Sequence, residues 1–87
     1  MKQGDVKPGM FITFESWTEI QGDKEYWPAC IYIIKDEPKQ RSWLVVDLNK
    51  DAIRYMSYYA ITKDAIEYEG DVPTAKKIVI QTVFKVS

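Results

Sequence analysis

The sequence predicts an all-β fold: a small barrel of five to six antiparallel strands, with one short helical turn around residues 50–62. Three observations point there. Residues 26–34, Tyr-Trp-Pro-Ala-Cys-Ile-Tyr-Ile-Ile, form an almost unbroken apolar run between charged segments. Such a run, rich in β-branched and aromatic residues, reads as a strand buried on most of both faces. Short alternating segments recur along the rest of the chain between turn residues, and convincing helix periodicity is scarce. A meander of this kind in 87 residues forms one domain, and closure into a barrel removes its exposed edges.

The elements follow in order. Lys7-Pro8-Gly9 suits a type II turn, which needs proline and then a residue of positive φ. Met10, Ile12 and Phe14 alternate with Phe11, Thr13 and Glu15 in a first strand over residues 10–17, extendable through Trp17 and Ile20. The Gln21-Gly22-Asp23 turn leads into the apolar run as a long-tipped hairpin. Pro28, lacking a backbone donor, belongs near the start of that central strand. A third strand over residues 42–48 places Leu44, Val46 and Leu48 on one face and Trp43, Val45 and Asp47 on the other. Asn49-Lys50-Asp51 is a turn. Residues 52–61 read either as a tyrosine-rich strand or as a helix capped by Asn49 with Ile53, Met56 and Ala60 as its stripe. A helical turn near residues 59–62 is compatible with the strand. Lys50-Asp51-Ala52-Ile53 is echoed by Lys63-Asp64-Ala65-Ile66, as two similar turn-to-strand starts. Residues 69–74 are the clearest loop. The last strand, 77–86, sets Ile78, Ile80, Thr82, Phe84 and Val86 on one face.

Composition excludes several chemistries. The formal charge is −1 and the pI about 5.3, so no global field draws the chain to nucleic acid or acidic membrane. Histidine, the commonest proton-transfer group near neutral pH, is absent. No base stands beside the scattered Ser and Thr, so the chain reads as no enzyme. One cysteine, Cys30, leaves neither an internal disulfide nor a cysteine-rich zinc site, and its place in the apolar run makes it a small buried hydrophobe. Asp64, Glu67, Glu69 and Asp71 match no calcium loop, and the four glycines form no phosphate cradle. The expectation is a cytoplasmic protein with no cofactor, no metal and no membrane span.

Gly4-Asp5-Val6, a Phe-containing strand and then Tyr26-Trp27-Pro28-Ala29-Cys30-Ile31 resemble the beginning of SH3-like barrels of the Tudor and PWWP kind. There an aromatic-Trp-Pro-Ala segment opens the second strand. The layout is also similar to PemK/MazF toxin barrels, and the likeness covers about residues 4–60. The Tudor and PWWP resemblance implies an aromatic cage for methylated lysine, with Phe14, Tyr26, Trp27 and Trp43 at the matching positions. The toxin resemblance implies an RNA endonuclease with an arginine before its Pro-Ala segment. Here that position is Trp27, which argues against the activity.

Two binding hypotheses remain. In the preferred one, a protein partner docks on an aromatic patch drawn from Trp17, Tyr26, Trp27, Trp43, Tyr55, Tyr58 and Tyr59, residue types that dominate interface hot spots. The reading is an adaptor or inhibitor, of the kind a virus or phage encodes, with self-association through the last strand as a variant. In the alternative, the rings stack on single-stranded nucleic acid while Lys35, Lys39, Arg41, Lys50 and Arg54 hold phosphates. Asp36, Glu37, Asp47 and Asp51 interleave with those cations and weaken that electrostatic term.

Overall fold

The computed structural model describes residues 1–20 and 30–86. It contains five antiparallel strands: β1 (Phe11–Phe14), β2 (Ile31–Glu37), β3 (Ser42–Asp47), β4 (Ala52–Ser57) and β5 (Ala65–Glu67). Helix α1 (Glu15–Ile20) follows β1, α2 (Tyr58–Asp64) joins β4 to β5, and α3 (Thr74–Val86) ends the chain's described part. The sheet order is β4-β3-β2-β1-β5. The first four strands form a meander, and β5 returns beside β1. The fold is therefore mainly β, as expected.

The sheet does not close. β4 and β5 are its two edges, and α2 bridges the gap between them, touching both strands. The expected barrel is thus an open sheet, because a seven-residue helix stands where a direct β4–β5 pairing would be needed.

Strand alternation accounts for the two faces. Ile12, Phe14, Ile31, Ile33, Trp43, Val45 and Met56 join Val6, Ile61 and Ala65 in a core under the N-terminal segment and α2. The opposite parity contributes Phe11, Tyr32, Val46 and Leu48 to a second cluster with Cys30, Val72 and Ile80. β2 and β3 are consequently covered on both faces, and Ile31, Ile33, Val45 and Val46 are wholly buried. An irregularity between Ile33 and Lys35 shifts the β2–β3 register, in the manner of a bulge.

The turns obey their local chemistry. Gly9 has φ 88° and Met10 N–H reaches Lys7 C=O at 3.3 Å, as a Pro-Gly type II turn requires. In the β3–β4 turn, Asp47 Oδ1 accepts from the amides of Asn49 (3.0 Å) and Lys50 (3.3 Å), and Asp51 takes up φ 53°. Both copies of the Lys-Asp-Ala-Ile echo open an edge strand, β4 at Ala52 and β5 at Ala65.

Two strand expectations need correction, the extent of the first and the identity of the last. The first strand stops at Phe14, and the chain turns into α1. Trp17 then packs edge-on against Phe14, with ring centroids 4.6 Å apart. In residues 52–61 the strand reading holds over Ala52–Ser57 and the compatible helical turn lies within α2, whereas the alternative helix capped by Asn49 does not form: the cap is Ser57. Ser57 Oγ accepts from Ala60 N–H at 3.2 Å, the usual N-cap bond. Residues 77–86 belong to α3 and not to a last strand. Lys76 and Lys77 amides bond to Pro73 C=O, and the chain presents Val79 and Ile80 to the second cluster. A strand would have hidden Ile78 together with Ile80, yet Ile78 is 56% exposed. Self-association through a C-terminal strand loses its basis with that helix.

Candidate functional site

Where the sheet stays open, α1, the end of β4 and α2 enclose a groove of about 660 Å³. One wall carries Phe14, Ser16 and Trp17, the other the consecutive β4 residues Arg54, Tyr55, Met56 and Ser57. Tyr59, Ala60, Lys63 and Asp64 of α2 complete it. The size lies within the range of ligand-binding clefts, roughly 300–1,000 Å³.

Local structure fixes each wall. Ser16 Oγ donates to Asp64 Oδ2 at 2.6 Å, and the Ser16 amide reaches the same oxygen at 3.4 Å. This ties the start of α1 to the end of α2. Ser57 caps α2 and so fixes the angle at which Tyr59 leaves β4. Tyr59 is 70% exposed, and Lys63 Nζ lies 5.6 Å from its ring centroid, within cation–π range. Arg54 Nε pairs with the buried Asp47 carboxylate at 3.1 Å.

Of the aromatic residues expected to bind, the fold brings Trp17, Tyr55 and Tyr59 to this groove. By strand alternation the Tyr55 side chain lies on the face of Ile53, opposite Met56. Tyr58 is half-buried on the other side of Tyr59. It lines a second hollow of about 700 Å³ with Pro38, Gln40, Arg41, Ser57 and Tyr59. Its hydroxyl donates to Asp36 Oδ1. That bond, with burial and the charges of Asp36 and Glu37, pushes its pKa up to about 12. Trp43 is a core ring, only 4% exposed, with Tyr58 edge-on at 6.3 Å. Its burial removes it from a binding patch and from a methyl-lysine cage. Tyr26 and Trp27 lie outside the described residues.

The five cations of the alternative do not converge. Lys35, Lys39 and Arg41 flank the β2–β3 connection, and Lys50 sits in the β3–β4 turn at the opposite end of β3. Lys35 pairs with Glu37 at 3.1 Å, and Arg54 with Asp47. Among the described residues, no group of His, Cys, Asp and Glu side chains is placed to hold a metal ion, and no helix is long and apolar enough to cross a membrane.

Met56, Lys63 and Ser16 are groove residues that sequence reasoning missed. The Ser57–Ala60 cap spacing was the available signal, since it sets the boundary between β4 and α2. Compared with family models, curated proteins and solved structures, the chain matches none.

Proposed function

We propose that this protein is a non-enzymatic binding module on a small SH3-like sheet, and that it docks a protein partner in the groove between α1, β4 and α2. The SH3-like reading is supported by the four-strand meander with β5 returning to β1. The docking reading rests above all on one observation. An aromatic ring exposed at 70%, Tyr59, stands beside Trp17 and Met56 at a concave site. Large rings in such settings give up much water-exposed area for little side-chain entropy, which suits them to interface hot spots. An adaptor or inhibitor acts by this kind of surface alone.

The test is capture from nuclease-treated host lysate with the tagged protein, at low and high salt, read by quantitative mass spectrometry. Trp17→Ala and Tyr59→Ala are compared with Ile78→Ser, a change on the exposed side of α3. One stoichiometric protein that survives nuclease and salt, drops at least tenfold with both groove variants and persists with Ile78→Ser is the expected result. Equal capture by all three variants, or loss of every partner on nuclease treatment, refutes the reading.

A further inference from the structure

The two edges of the sheet are finished differently, and the hydrogen-bond register shows how. Tyr58 N–H bonds to Arg41 C=O at 3.0 Å, beside the Ser42/Ser57 pair. In an antiparallel ladder this makes Ser42/Ser57 a non-bonded pair, so Trp43/Met56 and Val45/Arg54 exchange the backbone bonds. The N–H and C=O groups of Ile53 and Tyr55 therefore point away from β3. Among the described residues, none bonds to them.

The same logic applied to β5 gives a contrasting answer. Tyr68 N–H bonds to Phe11 C=O at 2.9 Å, which turns Ala65 outward. There its carbonyl accepts from the Met1 amino group at 3.3 Å, and its N–H bonds to Ile61 C=O at the end of α2. At Ala65 this edge is capped by the chain itself. The other edge is free at Ile53 and Tyr55, and Tyr55 belongs to the four consecutive β4 residues, Arg54 to Ser57, that line the groove.

We propose, building on the docking reading, that the groove takes an extended segment of a partner protein as a sixth strand, antiparallel or parallel to β4, on the free groups of Ile53 and Tyr55. Strand addition to an exposed edge draws affinity from main-chain bonds and specificity from alternate side chains. Four β4 residues at ~3.3 Å per residue give a track of about 13 Å, enough for a short segment. Such a strand would have Phe14, Ser16 and Trp17 as the facing wall of the groove. A second copy in the symmetric register, with Ile53 opposite Tyr55, sets the Arg54–Asp47 pair of one chain against the same pair of the other, so no charge complementarity favours it.

Charge narrows the partner further. Arg54 is neutralised by Asp47, and Asp64 is engaged by Ser16. Among the described residues Lys63 meets the Tyr59 ring and no carboxylate, and it is left for an acidic side chain of the segment. Trp17 and Met56 offer apolar contact to a residue alternating with it.

The experiment selects nonapeptides from a random phage-displayed library on the intact protein, then follows amide hydrogen exchange by NMR with the best synthetic peptide. In the free protein, Ile53 and Tyr55 amides exchange quickly while Arg54 and Met56 are protected. The peptide is expected to be extended and acid-containing, to slow exchange at Ile53 and Tyr55 at least tenfold, and to bind at least tenfold more weakly to Lys63→Glu. N-methylation of alternate peptide amides, which leaves the protein unaltered, is expected to abolish binding in one phase and spare it in the other. Failure to enrich any extended peptide overturns the proposal, as does protection of Ile53 and Tyr55 in the free protein. Protection that appears only with dimerisation in sedimentation also overturns it, in favour of a second copy. A peptide that binds as a helix, loses affinity in Trp17→Ala and leaves both amides unprotected removes strand addition while sparing the docking reading.

Discussion

Cys30 and Tyr58 set how single residues answer to pH. Cys30 is wholly buried, and burial pushes its thiol from 9.0 up to about 12. A thiol needs ionisation to react, so iodoacetamide at pH 8 should leave it unmodified in the native protein and label it only in denaturant. Tyr58 is raised from 10.0 to about 12, first by donating its hydroxyl to Asp36. Both folded values lie above the unfolded ones. The stability these groups contribute is fully present below about pH 9 and is lost as pH rises toward 12. Denaturant titrations between pH 8 and 12 should show that decline, and Tyr58→Phe should flatten it above pH 10. Absorbance at 295 nm should show a late-titrating phenol that disappears in the variant. Ser42 carries the opposite kind of feature: its buried hydroxyl has no partner among the described residues. Burying an unbonded hydroxyl is unfavourable by about 1–3 kcal/mol, so Ser42→Ala should raise the midpoint of chemical denaturation.

At the scale of elements, burial pattern decided what sequence could reveal. β3 was legible because Trp43 and Val45 pack on one face while Val46 and Leu48 pack on the other. Alternation and reality coincide there. The Pro8-Gly9 turn was legible for a similar reason, since proline followed by glycine leaves few backbone choices. α3 was not. Ile78, Val79, Ile80, Thr82 and Val83 are β-branched, and their run satisfies a period of two as well as a helical stripe. Packing of Val79 and Ile80 against the outer face of β2 and β3 settled the matter, with Lys76 Nζ held to Asp51 Oδ1 at 2.8 Å. The groove was half legible for the same cause. Its rings stood out by type, but Met56 and Lys63 become neighbours of Trp17 only through the strand-to-helix break at Ser57. The helix makes a sharp prediction. Gln81 is exposed within α3, so Gln81→Pro removes no packing contact, yet proline inside a helix is unfavourable by about 3 kcal/mol. The variant should lose ellipticity at 222 nm and show a Tm lower by several degrees; an exposed edge strand would tolerate it far better.

The whole molecule is a sheet whose central strands, β2 and β3, are covered on both faces, while β4 is exposed along most of its length. Electrostatics separates the two binding hypotheses. Polynucleotide binding gains most of its affinity by releasing counterions from neutralised phosphates, and the salt slope counts those contacts. Here Lys35 and Arg54 already have carboxylate partners, and Asp51 holds Lys76. Lys39 and Arg41 lie at one end of β3 and Lys50 at the other, separated by six residues of strand or about 20 Å. A single strand crossing the sheet would meet one or two free cations at a time. With a slope of about −0.7 per phosphate, such binding would fall only a few-fold between 50 and 200 mM salt, and it would be weak from the start. Fluorescence anisotropy with a labelled 20-nucleotide single strand should therefore show no saturation at micromolar protein in 150 mM salt. Partner binding in the groove should change less than threefold over the same salt range, because rings and main-chain bonds carry it and only Lys63 contributes charge. Tight, steeply salt-dependent capture of the oligonucleotide would instead require the scattered cations to converge, an arrangement the antiparallel register of β2, β3 and β4 opposes.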